Sequence, residues 1–347
     1  MTKNRQWRLA RRPRGTISEA DFSWAEEPVP SVGEGQFLVR NLYLSMDPTQ
    51  RGWMSRDTYI PAMAIGDVVR SFGVGQVVGS RRDGYRPGEI VQGGVGWQDY
   101  LLTDGSGPLP ISKLPAGVDI PLAMSVLGLT GITAYFGLLE VGRPRAGETL
   151  VVSGAAGATG SVVGQVGKIH GCRVVGIAGG PEKCAWLTDE AGFDAVIDYR
   201  AERVDRRLGE LCPDGIDLFF DNVGGEILDA ALAHLAMRGR VVICGAISAY
   251  NEKAPPPGPR NYLSLLVQRG RMEGFIILDY MDRAGEAVAA LSQWVQEGKL
   301  RHEEDIQEGL ENAPATLNRL FEGKNRGKQL LKIADPPMPL PVEQTGG

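Results

Sequence analysis

Neither a cysteine nor a histidine occurs in residues 1–169. A zinc site gathers several Cys, His or carboxylate ligands around one ion, so this half of the chain, which offers only carboxylates, excludes a catalytic zinc of the usual kind. The four cysteines that follow, Cys172, Cys184, Cys212 and Cys244, have no paired spacing. They read as free thiols in a reducing compartment. No run of about 18 apolar residues is present, so nothing reads as a membrane span. The N-terminus lacks the apolar core of a secretory signal, and a cytoplasmic protein is expected. Positive charge is also in short supply: 37 Lys and Arg against 42 Asp and Glu leave a net charge of −5. That balance argues against a nucleic-acid partner.

What remains is an ordinary globular composition, 43% hydrophobic and 23% charged over 347 residues. Such a length exceeds what one hydrophobic core normally supports, so two domains are expected. The N-terminal stretch from Lys3 to Arg14 is locally basic, and Trp7 and Leu9 interrupt it as in a solvated first strand. Up to about Pro121 short strands alternate with turn signals. Residues 36–44, 74–78 and 89–91 read as strands, and Asp83-Gly84 and Pro87-Gly88 as turns between them. Strands so closely spaced suggest a compact, barrel-like β domain. Leu122 to Leu139 is apolar at helical spacing.

From Thr149 the pattern changes to strand, helix, strand, helix. Strands are expected at 149–153, 173–177, 195–198, 216–221 and 240–244, with helices at 159–170, 182–191, 204–211 and 226–235. This alternation is the signature of βαβ units in a doubly wound parallel sheet. Phe275 to Leu278 reads as a further strand and Arg283 to Glu297 as an amphipathic helix. The helix 313–322 and strand 328–333 are expected to return to the first domain, with a mobile Pro-rich tail from Asp335. The fold class is therefore α/β, with domains at 1–125, completed by 300–347, and at 126–299.

The first βαβ unit carries the chemistry. Thr149-Leu150-Val151-Val152-Ser153 runs into Gly154-Ala155-Ala156-Gly157-Ala158-Thr159-Gly160, and a helix follows. Small residues let the backbone approach a pyrophosphate, and the helix N-terminus offers free N–H groups with a partial positive charge. The spacing Ala-x-Gly-x-x-Gly puts Ala155 where the first glycine usually stands. A tight structural turn is the alternative. The second strand ends in Ala178-Gly179-Gly180-Pro181, with no carboxylate to receive ribose hydroxyls. Lys183 and Arg200 lie just beyond. An uncharged strand end beside cations favours a 2′-phosphate and hence NADPH, the alternative being two solvated surface cations.

With these residues in view the chain resembles the zinc-independent branch of the medium-chain dehydrogenases/reductases. Leukotriene B4 12-hydroxydehydrogenases, prostaglandin reductases, 2-alkenal reductases and curcumin reductases make up that branch. The resemblance rests on Leu44-Ser45-Met46-Asp47-Pro48 with Arg51-Gly52, on 128–137, Asp221-Asn222-Val223-Gly224-Gly225, Cys244-Gly245-Ala246-Ile247-Ser248 and 271–275. It implies a GroES-like first domain, a Rossmann domain, a homodimer through Rossmann edges, and hydride transfer from NADPH to the β-carbon of a small-molecule α,β-unsaturated ketone or aldehyde. It also assigns cofactor contacts: Gly157, Ala158, Thr159, Gly160 and Gly179 at the phosphates and adenosine, with Lys183 and Tyr199. Asn222, Cys244, Ala246, Ile247, Ser248, Tyr250, Phe275, Ile277 and Asn325 would approach the ribose and nicotinamide. The family usually has an aromatic residue after the Asp-Pro pair; here Thr49-Gln50 follows.

No metal is available to polarise the substrate carbonyl, so a hydrogen-bond donor must stabilise the developing enolate. Tyr262 is the leading candidate, with packing over the cofactor as the alternative role. Tyr59 and Tyr250 read as further pocket wall. His170, His234 and His302 read as structural or exposed. Two other readings stay open: an NADPH quinone reductase of the same superfamily, and a non-catalytic NADPH-binding protein.

Overall fold

The computed structural model describes residues 3–254 and 256–341. In chain order its strands are β1 (Lys3–Leu9), β2 (Phe22–Pro28), β3 (Phe37–Ser45), β4 (Phe72–Ser80), β5 (Ile90–Gly94), β6 (Tyr100–Thr103) and β7 (Ser112–Lys113). There follow β8 (Thr149–Ser153), β9 (Arg173–Ala178), β10 (Ala195–Asp198), β11 (Ile216–Asp221), β12 (Leu235–Ile243), β13 (Arg271–Gly274), β14 (Glu304–Glu308) and β15 (Lys328–Lys332). They fall into two compact units: Met1–Met124 with Asp305–Lys324 and the segment from Gln329, and Ser125–Glu304 with Asn325–Lys328.

In the first unit the order is β14-β15-β3-β4-β5-β7, with β6 pairing the other half of β3. Apolar side chains on alternate positions of β3 and β4 point inward, because successive strand residues face opposite sides. Phe37, Val39, Leu44 and Val77 thus join Trp97 and Met63 in one core. Close approach of β4 to β3 demands small residues, since a Cβ on Gly75 would meet Val39 at 2.4 Å. The first strand is less solvated than its charge suggests. It pairs with β2, and Asn4, Gln6 and Leu9 on its inner face are buried. Asn4 and Gln6 are satisfied there by Gln98 and by the backbone of Tyr100.

The second unit is a six-stranded sheet ordered β10-β9-β8-β11-β12-β13, parallel throughout. Its inner strands read as unbroken apolar runs because helices cover both faces. Leu150, Val151 and Val152 of β8 and Leu218, Phe219 and Phe220 of β11 are all inaccessible to solvent. Helices Ala158–Ile169, Pro181–Asp189, Val204–Leu211 and Gly225–Ala233 connect the strands. β8 leads to β9 on one side, while β11 lies on its other side. That reversal makes the carboxyl end of β8 the place where α/β sheets open a crevice.

Three sequence expectations change, and one strand appears where none was expected. The apolar stretch 122–139 is not one helix but Ile120–Met124, Leu129–Phe136 and a wider-wound turn Gly137–Gly142. The chain folds back on itself between the first two, so that a Cβ on Gly131 would sit 1.7 Å from the Val126 carbonyl oxygen. Phe275 to Leu278 is no strand: the sheet edge is β13, and Phe275 instead turns its ring against Gly137 and Phe220. The charged segment of β14 is a strand that the polarity of Glu304–Glu308 conceals. The Pro-rich tail is held as far as Pro341. Gln76 exchanges hydrogen bonds with the backbone of Met338, and the Gly117 N–H donates to the Pro341 carbonyl. The remainder, 342–347, lies outside the described residues.

Candidate nucleotide site and active site

β8 ends at Ser153, and the chain turns through Gly154, whose φ of +58° suits glycine far better than any residue with a Cβ. Ala155 and Ala156 are buried beneath the turn. Gly157 caps the helix Ala158–Ile169 without any side-chain hydrogen bond. The first-turn N–H groups of that helix therefore have no intrahelical acceptor. Gly160 is constrained most tightly: a Cβ there would stand 2.3 Å from the Gly154 carbonyl oxygen and 2.9 Å from the Ala155 Cα. Bare amides, a helix dipole and no side chain above them form an anion cradle. The returning segment closes one side. Gly327 bridges Gly157, its N–H donating to the Ala156 carbonyl at 2.9 Å, and buried Asn325 donates to the Gly327 carbonyl at 3.0 Å.

One strand over, the end of β9 is uncharged. Gly179 packs against the ring of Tyr199, where a Cβ would come within 2.7 Å, and Gly180 takes φ +96°. Asp198 lies at the end of β10, but one of its oxygens already accepts the Gly180 and Arg200 backbone N–H groups at 2.9 and 3.0 Å. It therefore organises this corner. Lys183 sits on the first turn of the helix Pro181–Asp189, and Arg200 lies 6.0 Å from the centroid of the Tyr199 ring. Glycine, tyrosine and arginine thus meet at the place where a discriminating carboxylate would otherwise stand, with Lys183 on the helix that follows.

At the end of β11, Asp221 is a residue whose structural part the sequence reading passed over. Its carboxylate is fully buried and accepts from Ser153 Oγ at 2.7 Å and from the N–H groups of Val223 and Gly224 at 3.0 Å. Burial nevertheless holds its pKa above the ordinary aspartate value, with those hydrogen bonds opposing. Asn222 donates to the Ser153 carbonyl at 2.7 Å, which ties β8 and β11 together at their carboxyl ends. The loop after β12 lies alongside. Cys244 N–H donates to the Asp221 carbonyl, Ile247 N–H to that of Asn222, and Ser248 Oγ to that of Val223 at 2.6 Å. Ala246 N–H donates to Tyr250 Oη at 3.3 Å. Desolvation, with Asp221 adding, pushes the Cys244 thiol up to about 12, so it is a spacer rather than a nucleophile. Phe275 spends its ring on packing, which leaves its backbone for any ligand, and Ile277 begins the next helical turn.

The histidines are occupied elsewhere. His170 closes a helix against the Val166 carbonyl, His234 meets Asp205 at 3.0 Å, and His302 meets Glu304 at 2.8 Å.

Comparison with known proteins agrees with this arrangement. Residues 5–111 match the profile of an N-terminal domain of oxidoreductase, and residues 158–294 that of a zinc-binding dehydrogenase. The chain is 43% identical over 338 residues to the NADPH-dependent curcumin reductase of Escherichia coli, covering 96% of this chain and 97% of that one. It belongs to the zinc-independent branch of the medium-chain dehydrogenases/reductases. Prostaglandin reductase 1 of Rattus norvegicus is 38% identical over 339 residues, 96% of this chain and all of that protein (100%). Among solved structures, CurA from Vibrio vulnificus in complex with NADPH superimposes with a TM-score of 0.89 at 42% identity, covering 96% of this chain and 100% of that one.

Against this family background the tyrosines differ in setting. Tyr262 starts the helix Leu263–Gln268 and is 56% exposed. The residues before it are fixed by Asp229 of the helix Gly225–Ala233, which accepts the Arg260 N–H at 2.6 Å and whose carbonyl accepts Asn261 Nδ2 at 2.9 Å. The described structure thus joins Tyr262 to that helix by backbone, while Tyr250 joins the loop 244–250 directly. In the first unit, the Tyr59 hydroxyl lies 3.0 Å from Thr49 Oγ1, and its ring meets Trp53 edge-on. Thr49 stands where the family usually has an aromatic residue. Its neighbour Gln50 is buried, donating to the Ser45 carbonyl and Ser71 Oγ, so an aromatic residue at 50 would displace that network.

Proposed function

We propose that this chain reduces the conjugated C=C bond of α,β-unsaturated ketones or aldehydes with NADPH, in the cytoplasm. The observation that carries the cofactor reading is the corner at Gly179: an uncharged strand end, a tyrosine ring and two cations, beside an uncapped helix N-terminus. The residues present fit the group. Gly157, Ala158, Thr159 and Gly160, with Ala155 beneath, would hold the pyrophosphate by backbone N–H groups. Lys183 and Arg200 would hold the 2′-phosphate, with Gly179 and Tyr199 against the adenosine. Asn222, Cys244, Ala246, Ile247, Ser248 and Tyr250 would place the nicotinamide ribose and ring, with the Phe275 and Ile277 backbone and Asn325. When bound, NADPH supplies the hydride.

The protein's own tasks are orientation and charge stabilisation. A carbonyl oxygen gains negative charge as the β-carbon is reduced, and a phenol donor stabilises it. We assign that hydrogen bond to the Tyr262 hydroxyl, with Tyr59 and Tyr250 as substrate contacts. Tyr262→Phe is expected to lower kcat on an enone about 100-fold, the low end of what one donor to a developing oxyanion contributes. Unchanged kcat would remove the donor role and leave Tyr262 as a contact surface.

The reaction is tested by following NADPH consumption with a simple enone, an enal and a benzoquinone. Turnover of the enone and enal with NADPH, and much slower turnover with NADH, is expected. A preference for the benzoquinone would favour the quinone-reductase reading, and binding without turnover on a broad panel would favour a non-catalytic one.

A homodimer forms part of the same proposal. β13 is an edge strand with its outer ladder unpaired among the described residues, and on the helix that precedes it in the chain Leu263, Leu266 and Val267 are 57%, 75% and 63% exposed. Monomers cover such edges and patches, or pair them with a second copy. Light scattering should give twice the chain mass, and Leu266→Asp should shift it to the monomer.

A further inference from the structure

The strand ends opposite the nucleotide turn carry a feature that the proposed reaction does not use. Six arginines, Arg143, Arg145, Arg238, Arg240, Arg269 and Arg271, line one open cavity of about 430 Å³. Arg143 and Arg145 precede β8, and Arg269 precedes β13, where Arg271 is the first residue. Arg240 pairs in register with Arg271 across β12 and β13. The cluster is built from three separate stretches of the chain, around 143–145, 238–240 and 269–271, and only the sheet gathers it.

Its backbone is unusual. Among the described residues, three that are not glycine have positive φ: Arg143 at +53°, Arg238 at +61° and Arg269 at +50°. All three line this cavity. Residues with a Cβ enter the left-handed region at a cost that glycine and asparagine largely escape. Outliers of this kind collect where a site needs them. Arg238 is held in an irregular stretch of β12, where β11 advances from Ile216 to Leu218 while β12 runs from Leu235 to Arg240.

The arginines are also under-neutralised. Glu148 pairs with Arg240, accepting from both of its terminal nitrogens. Glu273 lies 3.7 Å from Arg271, and Glu140 is paired with Arg283. Arg271 donates to the Val141 carbonyl, Arg143 to the Glu140 carbonyl and Arg269 to the Val267 carbonyl, each using part of a five-donor guanidinium. The side chains of Arg145 and Arg238 make no hydrogen bond within the described residues, and both are exposed. In a chain of net charge −5 this is a local surplus, not a general basic character.

We propose that the cavity binds a small, multiply charged anion of the phosphate class, either an inorganic polyphosphate or the polyphosphate end of an organic ester. Guanidinium forks match phosphate oxygens two at a time, and several of them together call for an anion with several charges. A cavity of this size holds such an anion rather than a nucleic-acid duplex. The site is separate from the nucleotide turn, because the two lie at opposite ends of β8, and it does not depend on which substrate is reduced.

Thermal unfolding of the NADP-saturated protein tests this, since saturation closes the nucleotide site to competing phosphate. Sodium tripolyphosphate and a nucleoside triphosphate are compared with sodium chloride at matched ionic strength. A Tm rise of roughly 4 °C is expected at about 100 times the dissociation constant. The triple variant R143G/R238G/R269G suits the left-handed backbone while removing three cations. It is expected to keep its fold and lose the rise. A response to tripolyphosphate alone identifies an inorganic anion, and a stronger response to the nucleotide identifies an ester. No rise in the wild type, or an equal rise in the triple variant, overturns the proposal. Should that variant not fold, Arg238→Ala, on an exposed side chain, must reduce the rise for the proposal to stand.

Discussion

The two ends of the parallel sheet handle charge in opposite ways. At the carboxyl ends of β8 and β9 the chain removes side chains: Gly154, Gly157, Gly160, Gly179 and Gly180 leave bare backbone around a helix N-terminus that no side chain caps. At the amino ends it crowds six guanidiniums around one cavity. Amides of a helix terminus carry only partial charge, but they are fixed by the fold and need little reorganisation to meet a ligand. Guanidiniums carry whole charges on long flexible stems and repel each other until something sits between them. A parallel sheet supplies the first kind of site through its topology, whereas the second depends on side chains that the topology does not dictate.

The comparison can be broken most severely at Gly160. Gly160→Ala forces a methyl to within 2.3 Å of the Gly154 carbonyl, which is backbone and cannot move aside cheaply. Fluorescence titration should show NADPH affinity weakened at least about 100-fold, because a misplaced phosphate loses several charge-assisted hydrogen bonds. At the other end, Arg240→Leu leaves the half-buried Glu148 without its partner. Denaturant unfolding should report a loss of about 2 kcal/mol, the scale for orphaning a charged hydrogen-bonding group that is partly shielded from water. Lys183→Ala should raise the Kd for NADPH roughly tenfold while leaving that for NADH nearly unchanged, as expected for one charged hydrogen bond. Equal losses for both cofactors would show that Lys183 does not read the 2′-phosphate.

The smallest effect is in pH dependence, where the two ends carry opposite signs. Burial raises the Glu148 pKa, but hydrogen bonds from Arg240 and the Arg145 backbone outweigh it and hold the group below the ordinary glutamate value. Its stabilisation is complete above that ordinary value and is lost as pH falls through the folded one. Burial dominates at Asp221 and raises its pKa. Its contribution is most favourable below the ordinary aspartate value and is lost as pH rises through the folded one. Acid titration of stability in Arg240→Leu should therefore lose the Glu148 component and keep that of Asp221.

Most of the nucleotide unit was legible in the sequence, because its inner strands are continuous apolar runs and three of the helices that connect them begin after glycines. The strands at 195–198 and 216–221 and the helix at 204–211 lie where the pattern puts them. Edge strands were harder. β13 and β14 are short and polar, since one side of each meets solvent, so neither shows the alternation that marks a half-buried strand. The apolar run after β13 misled for the complementary reason: Phe275 is half-buried by side-chain packing on Gly137 and on Phe220 of β11, not by pairing in the sheet. At the site, the phosphate turn announces itself by composition. Asp221 appeared only as part of a family motif, and its role as acceptor for Ser153 and Gly224 needed the fold. The arginine cavity left no linear signal at all.

The pairing of β15 with β3, Leu330 opposite Ser45 and Lys332 opposite Tyr43, also bears on how the chain is made. During synthesis β3 and β4 emerge early, yet this half of β3 must wait for its neighbour until the whole nucleotide unit has been translated. Until then it presents an open ladder flanked by Leu42 and Leu44, which are fully buried in the finished protein. The first unit is therefore begun first and completed last, and the nascent chain needs protection along Tyr43–Ser45 for most of its time on the ribosome.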